Sequence, residues 1–447
     1  MTLRSSFATF VGRSTQWFLK TFLKGGSSLP GKLALALDPN ILDALAKDYH
    51  VIVVTGTNGK TLTTALTVNV LEQEVGHVLT NTTGANMVQG IVSTFLSGKK
   101  QPGKKKFAVL EIDEASLSKV TEFIKPELFL FTNIFRDQMD RYGEIYTTYQ
   151  LIVDGAKKAP EATILMNGDL PIFNSIDTIN PRKYYGFNHE ADKEQMAHYN
   201  TDGVLCPNCH HILHYHMITY SNLGKYYCPN CSFKRPELEV ELTAIQEVTN
   251  TSSEFTIDGN MYRLEVGGMY NVYNALAATA VAEHYGIAPE KIRKGLAYNE
   301  KVFGRQEVIK IGDKECTLVL VKNPVGLNQV IDTMKLSPFN FSMAALLNDN
   351  YADGIDVSWI WDSQLEDLSD LEIPLVITGG DRHKDMTLRL EVAGIAPDKL
   401  VEKQDITDVI EAIKQAPTQH VYILATYTAV LALRKELTQA GYIKEEN

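Results

Sequence analysis

Apolar residues along this chain gather into short continuous runs rather than alternating with polar ones. "HVIVVTG", "FAVLEID", "ELFLFTNI" and "ATILMNGD" are each followed by a polar or helix-forming stretch. Runs of this kind predict strands covered on both faces, and their alternation with helical segments predicts an α/β fold with a parallel sheet. A second set, "CTLVLVKN", "FSMAALLND", "PLVITGGD" and "HVYILATY", begins after about residue 305. Two α/β domains are therefore expected, 1–304 and 305–447, joined near Gly304. The N-terminus has a different period. Phe7, Phe10, Val11, Trp17, Phe18, Phe22 and Leu23 recur at helical spacing, with Arg4, Arg13, Lys20 and Lys24 between them. This predicts a helix packed on the body of the protein, with a membrane surface as the alternative neighbour for an apolar and basic face.

Composition narrows the classes. A chain of 447 residues, 44% hydrophobic and 22% charged, holds enough apolar material for two or three domain cores. Its formal net charge of −11 excludes a general affinity for nucleic acid, so any nucleotide is expected to be a substrate. No apolar run approaches the roughly 20 residues that span a bilayer, and the N-terminal run is too interrupted by basic residues for a signal peptide. A soluble chain with at most peripheral membrane contact is expected.

From about 199 to 235 the strand rhythm breaks. Cys206, Cys209, Cys228 and Cys231 stand as C-x2-C-x18-C-x2-C, the spacing of a zinc ribbon, in which each two-cysteine knuckle supplies two corners of a tetrahedron. A pair of disulfides would need an oxidising compartment. Four thiolates close the coordination shell, so the Zn2+ is expected to be structural, and His210, His211, His214 and His216 to be spacers. Cys316, within "CTLVLV", reads as core.

The stretch "VIVVTGTNGKTLTT" carries the chemistry. A strand that ends in glycine, lysine and hydroxyls, and then becomes a helix, presents backbone N–H groups and a helix N-terminus to phosphate. Thr57, Asn58 and Gly59 are expected to bind the phosphates, Lys60 to reach the outer ones and Thr61 to offer a magnesium ligand. Val54 stands where the eight-residue pattern has its first glycine, so this is a shorter variant. Carboxylates at strand ends beside such a loop suit a hard cation: Glu111 is preferred, Asp113 and Glu114 are alternatives, and a solvated edge is the plain reading. Asn271 and Asn274 open a predicted helix, where asparagine often serves only as a cap. Arg305 follows a glycine, and its planar donor fork suits a phosphate.

These motifs resemble those of the Mur ligases and the related folylpolyglutamate synthases. "TGTNGKT" is similar to that family's ATP loop, "EIDE" to its magnesium segment, and "TNIFRDQMDRYG", "NGDLP", "GGMYNVYNALAA" and "FGRQE" to four further stretches. The resemblance covers nearly the whole chain outside the ribbon. It implies a P-loop central ATPase domain with the ribbon inserted, a Rossmann-like C-terminal domain, ATP and Mg2+ as cofactors, Glu111 on magnesium, and Asn271, Asn274 and Arg305 on the nucleotide. Two departures stand out: Gln138 and Tyr270 occupy positions where the family has histidine. Lys157 and Lys158 fall where many members carry a carbamoylated lysine.

Within that family, the inserted ribbon and the stretch "NDNYADGIDVSWIWD" resemble the synthetase subunits of a two-subunit enzyme whose partner is a GatD-like glutamine amidotransferase. The resemblance implies a heterodimer that uses ammonia from glutamine to amidate the D-glutamate α-carboxylate of lipid II at the inner face of the cytoplasmic membrane. A conventional ligase adding an amino acid is the alternative. It also implies that this subunit lends an aspartate to orient the histidine of the partner's Cys-His pair, with Asp356 preferred over Asp353 and Asp349. The same stretch fails as a calcium loop, because Tyr351 and Ile360 fall where ligands are required. Trp359 and Trp361 read as core residues of a strand or as interface anchors. "ITGGDRHKD", with Arg382, His383 and Lys384, reads equally as a substrate contact or a sheet-edge cap.

Overall fold

A computed structural model of the chain describes residues 2–22, 28–81, 85–98, 106–137, 144–188, 194–197, 201–297 and 306–443. Gly304, Arg305 and Gln138 lie outside the described residues. All eight apolar runs named above contain strands. Six come first: β1 (Tyr49–Thr55), β2 (Val78–Thr80), β3 (Lys106–Glu111), β4 (Leu128–Phe131), β5 (Thr163–Asn167) and β6 (Arg182–Phe187). The chain then leaves the sheet for a hairpin, β7 (His214–Tyr220) and β8 (Leu223–Tyr227), and returns through β9 (Val240–Val248), β10 (Ser253–Ile257) and β11 (Asn260–Leu264). The nine-stranded sheet has the order β11-β10-β9-β6-β5-β4-β1-β3-β2. Pairing is parallel from β2 to β9, and β9, β10 and β11 finish the edge as an antiparallel meander.

β1 lies between β3 and β4, where the order of the sheet reverses. Crevices outside the carboxyl ends of strands at such a switch point are where α/β sheets bind ligands. The second sheet comprises β12 (Glu307–Ile311), β13 (Lys314–Leu320), β14 (Phe341–Leu346), β15 (Val376–Gly379), β16 (Leu400–Glu402) and β17 (His420–Ala425), in the order β12-β13-β17-β14-β15-β16. It is parallel apart from the β12–β13 hairpin. Cys316 is buried in its core, as its apolar setting predicts.

The N-terminal helix α1 (Leu3–Phe22) forms, but with the face opposite to the expected one turned inward. Ser5, Ala8, Gly12 and Leu19 are buried, against α2 (Leu29–Leu37) and the helix Val88–Ser97. A methyl at Gly12 would lie 2.6 Å from Leu96 Cδ1. The aromatics that carry the helical pattern are exposed. Small residues let the two helices approach closely, and periodicity alone does not say which of two stripes is the inner one.

Candidate active site

The phosphate-loop segment leaves β1 at Thr55 and enters the helix Lys60–Val75 at once. Two glycines make this possible. Gly56 has φ +129°, and a methyl there would lie 2.4 Å from Thr132 Oγ1. Gly59 has φ +80°, and a methyl there would lie 2.1 Å from Asn274 Oδ1. Asn133, at the end of β4, clamps the loop: its Oδ1 accepts from Asn58 N at 2.8 Å, its Nδ2 donates to Asn58 O at 3.0 Å, and its carbonyl accepts from Thr57 N at 2.9 Å. Thr57 and Asn58 thus spend their backbone N–H groups inward, on Asn133, rather than toward a phosphate. The helix N-terminus at Gly59, Lys60 and Thr61 remains for an anion. Thr61 is half-buried at its first turn.

Lys60 is buried. Its Nζ donates to Gly56 O at 2.5 Å and pairs with Glu114 Oε2 at 3.2 Å. Burial alone would push the ammonium's pKa down, but Glu114, Glu111, Asp113 and Asp137 around it raise it above the ordinary value. Burial pushes the Glu114 carboxyl up, against the pull of Lys60. Glu114, in the first turn of the helix Glu114–Val120, is therefore the carboxylate touching the loop lysine, whereas Glu111 sits at the end of β3 with its backbone held by Asn81. A cation fits this donor set. Four carboxylates act on one ammonium, and Asp137 Oδ1 is buried without a hydrogen-bond partner among the described residues.

Asn271 and Asn274 are both buried on the helix Met269–His284. Asn271 donates to Gly267 O at 2.7 Å and accepts from Asn274 Nδ2 at 3.1 Å, while Asn274 Oδ1 accepts from Thr63 Oγ1 at 3.1 Å. Their polar atoms support the loop from beneath. Lys158 is spent on Ser118 O and Glu122, and Lys157 lies 3.9 Å from Asp154, ordinary ion pairs at a helix end.

The second sheet closes over the loop. Asn323 caps the helix Pro324–Lys335 through Gly326 N and exchanges side-chain hydrogen bonds with Asn58 at 2.9 and 3.3 Å. Lys322 pairs with Asp137 at 2.5 Å. Arg136 reaches Asp202, beside the ribbon, at 2.7 Å and Asp362, of the second sheet's domain, at 2.9 Å, so one guanidinium ties three parts of the chain together. Beyond it opens a cleft of about 530 Å³, lined among others by Arg136, Gln195, Tyr220, Asn328, Gln329 and Asp362. A narrower crevice of about 40 Å³, sharing Tyr220, Val325 and Gln329 with that cleft, reaches Asn58 and Gly59. Sequence reasoning missed these ties. "NP" at 323–324 is a capping signal, but nothing in it names Asn58 as a partner.

The three loop aspartates have different fates. Asp353 is buried and accepts from Thr428 N at 2.7 Å, Thr428 Oγ1 at 2.5 Å and Asn350 N at 3.2 Å, capping the helix Tyr427–Gln439. Those bonds occupy both of its carboxylate oxygens. Asp349 is held by Arg382 at 2.8 Å. Asp356 is exposed, and hydrogen bonding from Ser358 pulls its carboxyl below the ordinary range, so it stands ionised on the surface. Trp359 and Trp361 lie on a short helix, Trp359–Asp362, rather than a strand. Trp359 packs against the core, and Trp361 is exposed beneath the Arg389 guanidinium. In "GGDRHKD", Arg382 bonds Asp385 and Asp349, and His383 is buried with Nδ1 at 2.8 Å from Gly380 O. These contacts favour the capping role.

The four ribbon cysteines converge. All four Sγ atoms lie within 4.8 Å of one another, with Cys206–Cys231 at 3.5 Å and Cys209–Cys228 at 3.4 Å, and none is in a disulfide. Four Zn–S bonds of about 2.3 Å at tetrahedral angles separate sulfurs by about 3.8 Å, so the thiol set fits zinc. His210, His211 and His216 are exposed. Leu213, Tyr215, Tyr226 and Phe233 form a small separate core. The ribbon is bound to the sheet through Arg235, whose Nη1 meets the fully buried Asp169 at 2.8 Å.

The chain matches the Mur ligase middle domain over residues 54–282 and the MurT ligase C-terminal model over 320–430. It is 51% identical over 446 residues, all of both chains, to the lipid II isoglutaminyl synthase (glutamine-hydrolyzing) subunit MurT of Streptococcus pneumoniae. It is 33% identical to the subunit of that name from Staphylococcus aureus, over 93% of this chain and 94% of that one. Among solved structures, a crystal structure of MurF from Acinetobacter baumannii superposes with a TM-score of 0.66 at 17% identity, covering 93% of this chain and 81% of that one. At that identity the likeness concerns the fold.

Proposed function

The chain belongs to the Mur ligase family, in the branch that holds the MurT subunits, and from that premise we propose that it is the synthetase subunit of a lipid II isoglutaminyl synthase. It uses ATP to convert the D-glutamate α-carboxylate of the lipid II stem peptide to the amide, at the inner face of the cytoplasmic membrane, with ammonia from a GatD-like glutaminase. The observation that carries this reading is the 51% identity over 446 residues.

A carboxylate is inert to ammonia until one oxygen becomes a leaving group. An α-carboxylate oxygen attacks the γ-phosphorus of ATP, the bond to the β-phosphate oxygen breaks, and ADP leaves. Ammonia then attacks the acyl carbon, inorganic phosphate departs, and the nitrogen gives up a proton. Lys60 serves this by exchanging Glu114 for the transferring phosphoryl, where fixed positive charge does most of the work. Glu111, Glu114 and Asp137, with Thr61, are the groups to hold Mg2+, which neutralises phosphate charge when bound. Asn133, Asn271 and Asn274 keep the loop rigid. The cleft beyond Arg136 is the place for the stem peptide. Asp356 orients the partner's histidine across the interface. The zinc, bound by Cys206, Cys209, Cys228 and Cys231, holds the ribbon's shape.

The test measures ADP release with a soluble stem-peptide acceptor and either ammonium or free amino acids. Release driven by ammonium supports amidation. Release driven only by an amino acid would make the chain a conventional ligase.

A further inference from the structure

The outer face of α1 has no counterpart in the mechanism. Phe7, Phe10, Trp17, Phe18 and Phe22 are 60, 69, 65, 50 and 62% exposed, and Leu3 is almost fully exposed. At about 100° per residue they span an arc of about 140°, opposite the small residues that pack inward. Leu29 and Leu33 of α2 are also exposed. Scattered exposed apolar residues are ordinary, but one contiguous aromatic face is an interaction surface. Arg13 fixes its orientation by donating to Leu96 O at 3.0 Å and Gly98 O at 3.2 Å.

Charge identifies what covers it. The first 37 residues carry five basic side chains, Arg4, Arg13, Lys20, Lys24 and Lys32, and not one carboxylate, in a chain whose net charge is −11. Self-association about a two-fold axis would set these cations against their own copies. An aromatic face beside the exposed Arg4 and Lys32 instead suits the headgroup region of an anionic bilayer, where apolar insertion and charge attraction add. No described helix is long and apolar enough to cross a membrane.

We propose that α1, with the start of α2, lies flat on an anionic lipid surface and holds the enzyme beside its acceptor; this rests on the reading of that acceptor as lipid-linked. The experiment is flotation of the full chain with vesicles of phosphatidylglycerol and phosphatidylcholine, or of phosphatidylcholine alone. The wild type is compared with F10S/W17S/F18S and with R4E/K32E. Binding is expected only to the anionic vesicles, to weaken with salt, and to fall at least tenfold in the aromatic variant and measurably in the charge variant. Ammonium-dependent amidation of a soluble, lipid-free acceptor is expected to be unchanged in both variants, which reports that they fold. Absent vesicle binding, equal binding by all three proteins, or a concentration-dependent dimer that the aromatic variant abolishes would overturn the proposal. If vesicle binding behaves as expected but no acceptor is amidated, the reading of the reaction fails and the docking surface stands.

Discussion

Asp169→Asn is the substitution whose cost the structure defines most closely. The Asp169 carboxylate is fully buried and accepts from Arg235 Nη1 at 2.8 Å, Phe187 N at 2.8 Å and Tyr273 Oη at 2.7 Å. Burial pushes its carboxyl up while Arg235 and the other donors pull it back. Tyr273 also meets Thr219, which lines the cleft, so the pair joins the ribbon, the sheet and the cleft wall. Removing the charge leaves Arg235, whose side chain is nine-tenths buried, without its counterion. Breaking one side of a buried pair costs about 3–5 kcal/mol, and the contact of Arg235 with Phe187 O places this one toward the lower end. Replacing both partners, Asp169→Asn with Arg235→Met, is expected to recover at least about 2 kcal/mol relative to the sum of the single variants. Native-state hydrogen exchange over β6 and β8 reads these energies locally, without assuming that a multidomain chain unfolds in two states. A single-variant cost under about 1 kcal/mol, or strict additivity in the double variant, would refute the argument.

Asp356→Asn is expected to cut glutamine-dependent amidation by about 10⁴-fold, the loss that follows when the residue orienting a catalytic histidine is neutralised, and to leave ammonium-dependent amidation intact; equal loss in both assays would remove it from the partner's triad. Elemental analysis is expected to find one zinc per chain, and Cys228→Ser to lose both the metal and the exchange protection of β7 and β8 while nucleotide binding persists. A metal-free wild type with a protected hairpin would contradict this. Burial beside Asp258 pushes the Glu283 carboxyl up to about 7 from an ordinary value of 4.5. The folded value is the higher one, so its stabilising contribution is present below about 4.5 and lost as pH rises through about 7. Melting temperature is expected to fall across that window, and Glu283→Gln to flatten the slope; an unchanged slope in the variant would refute the assignment.

What was legible in advance was local. Eight parallel strands announce themselves as unbroken apolar runs, because both faces are covered, whereas β2 and β16, three residues each, and β6, which begins Arg-Lys, do not; the knuckle spacing of the cysteines already encodes their convergence. The loop was recognisable, but not the direction of its N–H groups, since the Asn133 clamp arises only when β4 is set beside β1. The same holds for Glu114 against Glu111: both stand at one strand end, and only the turn into the following helix brings Glu114 to Lys60. Asp349, Asp353 and Asp356 are alike in sequence and differ by their partners, Arg382, Thr428 and Ser358, the first two of which lie more than thirty residues away along the chain. For α1, two stripes with one helical period compete, and close packing on Gly12 decides between them.

Activation of a carboxylate for ammonia is the step on which the other roles of this chain depend. Its most direct test is mass spectrometry of lipid II incubated with the chain, magnesium and ATP, first with ammonium and then with glutamine, with and without the glutaminase subunit. Amidation of the D-glutamate α-carboxylate is expected from ammonium with this chain alone, and from glutamine only when the partner is present. No amidation under either condition, with ATP-dependent addition of an amino acid instead, would contradict it.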